Sequence, residues 1–347
     1  MKATALRRGG ARADLIEGRI AGHDVRGADG KVALRKGEVI DARGVATVLA
    51  APWEELHLLE LEPGDLHEEP AGERVSRAAA GDGVELRGYQ GGQWTLAAAR
   101  RGLLRVHETA LAGVNALAGI SVFTLYDLRP VEPGETVAKA KVTPLAIGGA
   151  VIEEAESLAA RAKGLVSVRA FAPRVVGVVA RENLEPAQRT RFEGSLREKL
   201  DWFGSRLLSV RYTGGDADAV AREIEATRGE GADMIIVAGA SALDPLDPVF
   251  LGIERAGGRM ERVGAPAHPG SLLFLAWAGA QPMVGMPTCG MFSQATTFDL
   301  VLPRLLAGER LGNAELAALG HGGLMSRESA FRFPPYRKTA ERGELGQ

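Results

Sequence analysis

The chain has 347 residues, 46% of them hydrophobic, with a formal net charge of −2. That apolar content is enough to bury sizeable cores in two or three domains and excludes a disordered chain. The near-neutral balance gives no bulk attraction to nucleic acid or to an anionic membrane. A single cysteine, Cys289, excludes an internal disulfide framework and a multi-thiolate zinc site, and the six histidines show no pair at helical metal-ligand spacing. The basic start lacks an apolar segment of signal-peptide type, and no run of about 18 apolar residues occurs. Cytoplasmic residence, with neither membrane nor nucleic acid as partner, is the expectation.

Residues 1–74 read as a small β-rich module. Short strands surround Val25 and run through 31–40, Asp41 caps a helix carrying Val45, Val48 and Leu49, and 57–61 is a further strand. Pro63-Gly64-Asp65 closes the module, and 62–73 has the acidic composition of a linker. Residues 75–165 read as an α+β module. Glycine turns fall within 86–94, strands over 103–106, 121–126 and 136–142, and a helix over 108–117 with Leu111, Val114 and Leu117 on one face. Lys139 and Lys141 share a strand face, which is either solvated or turned to an anion. A helix over 153–162 stops at Gly164.

From 166 to 310 strand and helix alternate. Val175-Val176-Gly177-Val178-Val179-Ala180 is a continuous apolar strand, and Thr190-Arg191-Phe192-Glu193 has the form of a capping box opening a helix with Phe192, Leu196, Leu200 and Phe203 inward. Further strands fall over 207–212, 234–238, 260–264, 272–276 and 283–286. Helices open at Asp216 and at Asp247-Pro248, and a last one over 297–307 contains Pro303, where a kink or short first half is expected. The fold class is therefore α/β, a three-layer α/β/α domain with a mostly parallel sheet, preceded by the smaller β-rich and α+β modules. Residues 311–347 read as a C-terminal extension, with a flexible turn at Gly320-His321-Gly322-Gly323 and a polar tail or edge strand from Arg332 onward.

Ligands of parallel α/β sheets sit outside the carboxyl ends of the strands. Two loops there have the residues for it. Gly239-Ala240-Ser241 offers backbone amides and a hydroxyl ahead of a helix N-terminus, and Pro287-Thr288-Cys289-Gly290 follows the same logic. An ordinary connecting loop with Asp247 as helix cap would look the same, and Asp244 is either a loop carboxylate or a metal ligand. Cys289 near a strand end is a pocket-lining residue or a reactive thiol, with no histidine adjacent in sequence. His268 is a turn residue or a ligand contact. Arg181, Glu182, Arg189 and Arg191 cluster after the first strand, as guanidinium forks for an anion or as charges solvating a helix start.

In order, Gly239-Ala240-Ser241 leading to Asp247-Pro248, then Glu254-Arg255-Ala256-Gly257-Gly258, His268-Pro269-Gly270, Gly285-Met286-Pro287-Thr288-Cys289-Gly290 and the helix with Phe298-Asp299-Leu300-Val301-Leu302 resemble a known family. It is the molybdopterin-binding domain of molybdenum-cofactor biosynthesis proteins, of the gephyrin and molybdopterin molybdotransferase type and within it a bacterial molybdopterin-binding branch. The likeness covers about 166–323, and more weakly 20–61, where Gly22-His23-Asp24-Val25 and Leu34-Arg35-Lys36-Gly37 echo the family's β-rich segment.

The resemblance implies a strand-end pocket for the pterin's terminal phosphate, with molybdopterin as cofactor and Mg²⁺ and molybdate as further ligands. By position it makes Gly239, Ala240, Ser241, Pro269, Gly270, Pro287, Thr288, Cys289 and Gly290 cofactor-binding, joined by Arg181 and Arg191. Asp247 and Glu182 become catalytic candidates, and Asp247 with Asp244 metal ligands. The chain also departs from the pattern. Ala180-Arg181-Glu182-Asn183 replaces a Thr-Gly-Asp-Glu motif, Ala238-Gly239 a double glycine, and Thr288-Cys289 a Gly-Asn. The altered acidic motif points to a molybdopterin-binding protein acting in cofactor biosynthesis or in delivery to a molybdoenzyme, working as a homodimer. The alternative is a Mg²⁺-dependent molybdotransferase or adenylyltransferase. A general nucleotide-binding α/β protein comes third, since no Gly-x-Gly-x-x-Gly follows any strand.

Overall fold

The computed structural model describes residues 1–292 and 296–336, without the side chains of Cys289, Phe292 and Arg327. The chain divides into two compact units. The first comprises Met1–Arg100, Leu104–Asp127 and Glu132–Val168, and the second Arg101–Leu103, Leu128–Val131 and the chain from Arg169 onward.

In the first unit, the strands Lys2–Arg7, Glu55–Glu60 and Ile20–Ala21 form an antiparallel sheet, with Glu55–Glu60 in the middle. Asp41 caps the helix Ala42–Ala50 by accepting from the Gly44 amide at 2.7 Å. Val45 and Val48 face a core with Ile16, Ile40, Leu56 and Leu58, while Leu49 lies on the exposed side. The expected linker over 62–73 is instead a strand, Asp65–His67, and the start of the helix Glu68–Ala79. His67 accepts from the Glu69 amide, and the acidic Glu68 and Glu69 occupy the first turn, where the helix dipole favours negative charge. The acidic composition was that of a helix start. A four-stranded antiparallel sheet follows in the order Ile120–Thr124, Thr136–Val142, Gln93–Ala98 and Val84–Gln90, its last hairpin turning at Gly91 and Gly92. The helix Gly149–Arg161 lies against Glu68–Ala79, joined by Arg74 and Glu156 through two hydrogen bonds of 2.8 and 2.6 Å.

The second unit is a three-layer α/β/α domain. Its six-stranded sheet runs Arg206–Tyr212, Val175–Ala180, Met234–Ala238, Gln281–Met286, Phe274–Ala278 and Arg259–Val263. The first four are parallel, and Phe274–Ala278 runs antiparallel to both of its neighbours. The alternation of strand side chains separates the two cores. Met234, Ile236 and Ala238 pack with Phe192, Leu196 and Leu200 of the helix Pro186–Trp202 and with Phe298, Val301 and Leu302 of Thr297–Leu306. Ile235 and Val237 pack on the other face with Val220 and Ile224 of Ala217–Gly229 and with Val249 and Ile253 of Pro248–Arg255. Gly177 lets the helix Ala217–Gly229 approach closely, because a Cβ there would lie 2.0 Å from Thr227 Cγ2.

Two expectations are corrected here. Thr190 does not open a helix. Pro186 at the first helical position starts it four residues earlier, with the Gln188 side chain accepting from the Glu185 amide, and the Thr190 hydroxyl bonds back to Pro186 O within the helix. The described start of the expected tail, 332–336, is not a free tail either, and the extension before it is docked. Asn313–Ala317 is helical, and Leu311, Leu316, Leu319, Met325 and Tyr336 are buried in the core that contains Phe192 and Phe298. Tyr336 packs edge-on against Phe203. The end of the expected tail, 337–347, lies outside the described residues.

That core contains a buried ion pair. Lys199 Nζ is 2.5 Å from Asp299 Oδ1, and the two side chains are 2% and 0% exposed. Asp299 Oδ2 also accepts from the Thr296 amide and hydroxyl, capping the helix that it starts. Burial pushes the Asp299 carboxyl above its ordinary range, with Lys199 opposing the shift. Removing one partner of such a pair strands the other charge, so Lys199→Met should cost about 3–5 kcal/mol in urea unfolding at pH 7. A carboxyl whose folded value is raised contributes most stability below its unfolded value and loses that contribution as pH rises through the folded one. The deficit of Lys199→Met relative to wild type should therefore shrink from pH 7 to pH 4.5, and a pH-independent deficit would contradict this assignment.

Candidate functional site

All four parallel strands of the second unit end at one sheet edge. Ala180 lies opposite both Tyr212 and Ala238, and Ala238 lies opposite Met286. Loops 181–183, 213–215, 239–241 and the segment from Pro287 leave from those ends. The two loops singled out in the sequence thus follow neighbouring strands, with 287–290 continuing into the short helix Thr288–Phe292.

Arg181 links these loops. Its amide donates to Ala238 O at 2.9 Å, its Nε donates to Gly215 O at 3.3 Å, and its guanidinium reaches Asp247 Oδ2 at 3.5 Å. Asp247 is 3% exposed and accepts from the Ser241 amide at 3.0 Å through Oδ2 and from the Val249 amide at 2.8 Å through Oδ1. It therefore caps the helix Pro248–Arg255 and fixes the Gly239-Ala240-Ser241 loop in one arrangement. Gly239 is required by a close approach. At φ 85° a side chain is strained, and its Cβ would fall 2.3 Å from Arg181 O and 2.8 Å from Glu182 Cγ.

The concave part of this edge lies one strand over from the expected position. A cavity of about 390 Å³ is lined by Arg181, Glu182, Asn183, Arg189, Tyr212, Thr213 and Gly214, at the ends of Val175–Ala180 and Arg206–Tyr212. Arg189 stacks over the Tyr212 ring, 4.2 Å from its centroid, and its Nε donates to Leu184 O at 2.9 Å. The Tyr212 hydroxyl donates to Glu193 Oε1 at 3.2 Å. Burial first, and then the Glu193 carboxylate, push that hydroxyl up to about 12, with Arg189 pulling the other way. Tyr212 is thus a neutral donor at physiological pH, and the cavity combines two guanidinium groups, the Glu182 carboxylate, an aromatic face and the Thr213 hydroxyl. Such a set suits an anionic ligand with a planar ring.

The other expected residues are placed differently. Arg191 is exposed on the helix Pro186–Trp202 and does not line this cavity. Asp244 is exposed and its Oδ1 accepts from the Leu246 amide at 2.9 Å, as in a loop turn. Pro269 O accepts from the amide and hydroxyl of Thr297, and Gly270 passes within contact of the same residue, so this turn holds the start of Thr297–Leu306. Thr288 is exposed and Gly290 packs near Thr296, while the Cys289 side chain lies outside the described residues. Among the described residues no three His, Cys, Asp or Glu side chains are grouped to hold a metal ion. Both Asp247 oxygens and one Asp244 oxygen accept from backbone amides. No helix among the described residues is long and apolar enough to cross a membrane.

No family model and no curated protein matches the chain. Among solved structures, a molybdopterin biosynthesis MoeA protein from Pyrococcus horikosii matches at 13% identity, covering 70% of this chain and 79% of that one, with a TM-score of 0.30. MogA matches at 17% identity over 39% of this chain and 92% of that one, with a TM-score of 0.25. A NadC deletion mutant matches at 12% identity over 45% and 60%, with a TM-score of 0.16. Scores this low carry no argument about what the site does.

The hydrogen bonds of Asp247 define its first consequence. Asp247→Ala removes a helix cap and an acceptor for Ser241 at once, and should destabilise the protein by about 2 kcal/mol in urea unfolding. Asp247→Asn, which keeps one acceptor oxygen, should lose less than Asp247→Ala. Unchanged stability in both would show that the loop does not depend on this carboxylate.

Proposed function

We propose that the second unit binds molybdopterin, and that the protein acts in molybdenum-cofactor biosynthesis or in delivery of the cofactor to a molybdoenzyme. The observation that carries this reading is the cavity at the sheet edge, where Arg181 and Arg189 stand beside the Tyr212 ring. In this reading the two guanidinium groups pair with the pterin's terminal phosphate as forks, and the ring system lies against the aromatic face. The loop Gly239-Ala240-Ser241, fixed through the Ser241 amide by Asp247, in this reading presents the Gly239 and Ala240 amides as further donors to the anion. The family resemblance of the segments around Asp247-Pro248, His268-Pro269-Gly270 and Pro287-Thr288-Cys289-Gly290 supplies the pterin. The cavity chemistry supplies the anion and the ring.

Binding without turnover is favoured over a Mg²⁺-dependent molybdotransferase by the state of the acids. Asp247 is committed to two amides and an arginine, and Glu182 alone occupies the position of the family's acidic motif. Asp247→Ala is consequently a poor test of catalysis, because it perturbs the loop itself.

The test uses the full chain purified from a molybdopterin-producing host, with mass spectrometry of the material released on denaturation. Pterin should be found, or be taken up in vitro with an affinity unchanged by EDTA, and Arg181→Gln with Arg189→Gln should weaken uptake at least tenfold. No pterin released and none taken up would overturn the reading. Uptake that needs Mg²⁺, with conversion of the bound pterin, would replace it with the transferase.

A further inference from the structure

The first unit holds a larger cavity of about 790 Å³, lined by residues from four separated stretches of chain that include Arg35, Lys36, Glu68, Tyr89, Gly91 and Lys141. Its volume is in the range of small-molecule pockets. We propose that this cleft is a second small-molecule site, which takes a phosphorylated ligand between Lys36 and Lys141.

The cations here are unspent. Among the described residues no ion pair involves Arg35, Lys36 or Lys141. Lys141 is half-buried on the strand Thr136–Val142 and lines the cleft from the sheet side. The two carboxylates of the cleft are each hydrogen-bonded to a lining residue. Asp24 Oδ1 accepts from the Lys36 amide at 2.9 Å, and Glu68 faces the Tyr89 hydroxyl. Three cationic side chains and two carboxylates line the cavity, so one positive charge is in excess.

The cleft is also held in shape. His67 Nε2 donates to Gly37 O at 2.7 Å while its Nδ1 accepts from the Glu69 amide, which ties the turn carrying Arg35 and Lys36 to the start of the helix Glu68–Ala79. Tyr89, whose ring centroid is 5.5 Å from that of Trp94, forms an aromatic wall at the hairpin end. Beyond it, Gly91 and Gly92 leave open space where side chains would stand. A phosphate fits between point-charge ammonium groups and an arginine fork, with an attached ring against Tyr89.

The probe is inorganic pyrophosphate, and the readout is lysine acetylation followed by mass spectrometry on the full chain, which reports each lysine separately from any binding in the second unit. Pyrophosphate should slow acetylation of Lys36 and Lys141 at least fivefold and leave the exposed Lys2 and Lys31 unchanged. Lys141→Gln, checked for an unchanged melting curve, should abolish the protection of Lys36. No protection of Lys36 and Lys141 in the wild type would overturn the proposal. So would protection equal to that given by sodium chloride of the same ionic strength, since the cleft would then be a general cationic patch. If Lys141→Gln does not fold, the wild-type footprint alone decides.

Discussion

A buried aspartate under an arginine organises the carboxyl-end edge of the second unit's sheet. Asp247 has lost nearly all its water, and a carboxylate in that position is tolerated only when hydrogen-bond donors replace the solvent. Two amides and the Arg181 guanidinium do so, and each comes from a different segment: the loop after Met234–Ala238, the helix Pro248–Arg255 and the loop after Val175–Ala180. Arg181 also reaches the Gly215 carbonyl in the loop after a third strand, Arg206–Tyr212. One desolvated charge thereby sets three loops at fixed distances, and the rest of the site is arranged around them.

The parallel sheet makes that convergence unavoidable. With strands in register at Ala180, Ala238 and Met286, every loop leaving a carboxyl end emerges on the same side, and backbone donors and side chains accumulate there. Gly239 is the tightest point, because the loops after two neighbouring strands nearly touch at its Cα. A larger residue would push Arg181 and Glu182 away and open the cavity wall. Rigidity at the crossing of the loops and openness at Tyr212 and Gly214 are thus two results of one packing arrangement.

Much of the architecture was legible where local chemistry and long-range packing agree. Asp41, Asp216 and Asp247 each precede an apolar periodic segment and each caps a helix. The run from Met234 to Ala238 is apolar throughout because both of its faces are covered, and both cores bear this out. Misreadings arose where composition was ambiguous. Glu68 and Glu69 resemble a linker until His67 is seen as a cap, and Thr190 mimics a capping residue although Pro186 has already set the helix. Leu311, Leu316 and Tyr336 are spaced too irregularly to announce a docked segment. The site was half visible. Glycine and serine marked the 239–241 loop, but Tyr212, Thr213 and Gly214 have no distinguishing pattern, since a polar strand end looks like any turn. Only the sheet order places them beside Arg189.

The proposed sites in the two units differ in the chemistry they present to an anion. In the second, planar guanidinium groups and main-chain amides are preorganised by a buried acid, which favours a ligand whose phosphate is presented in one orientation. In the first, ammonium groups on separate stretches surround a wider space and tolerate more than one pose. The central claim concerns the former and is tested most directly by hydrogen–deuterium exchange of the full chain with and without molybdopterin, in EDTA. The account predicts slowed exchange at the amides of 181–183, 213–215 and 239–241, with the distal strand Arg259–Val263 unchanged. Bound molybdopterin that leaves those three loops as exchangeable as in the free protein would contradict it.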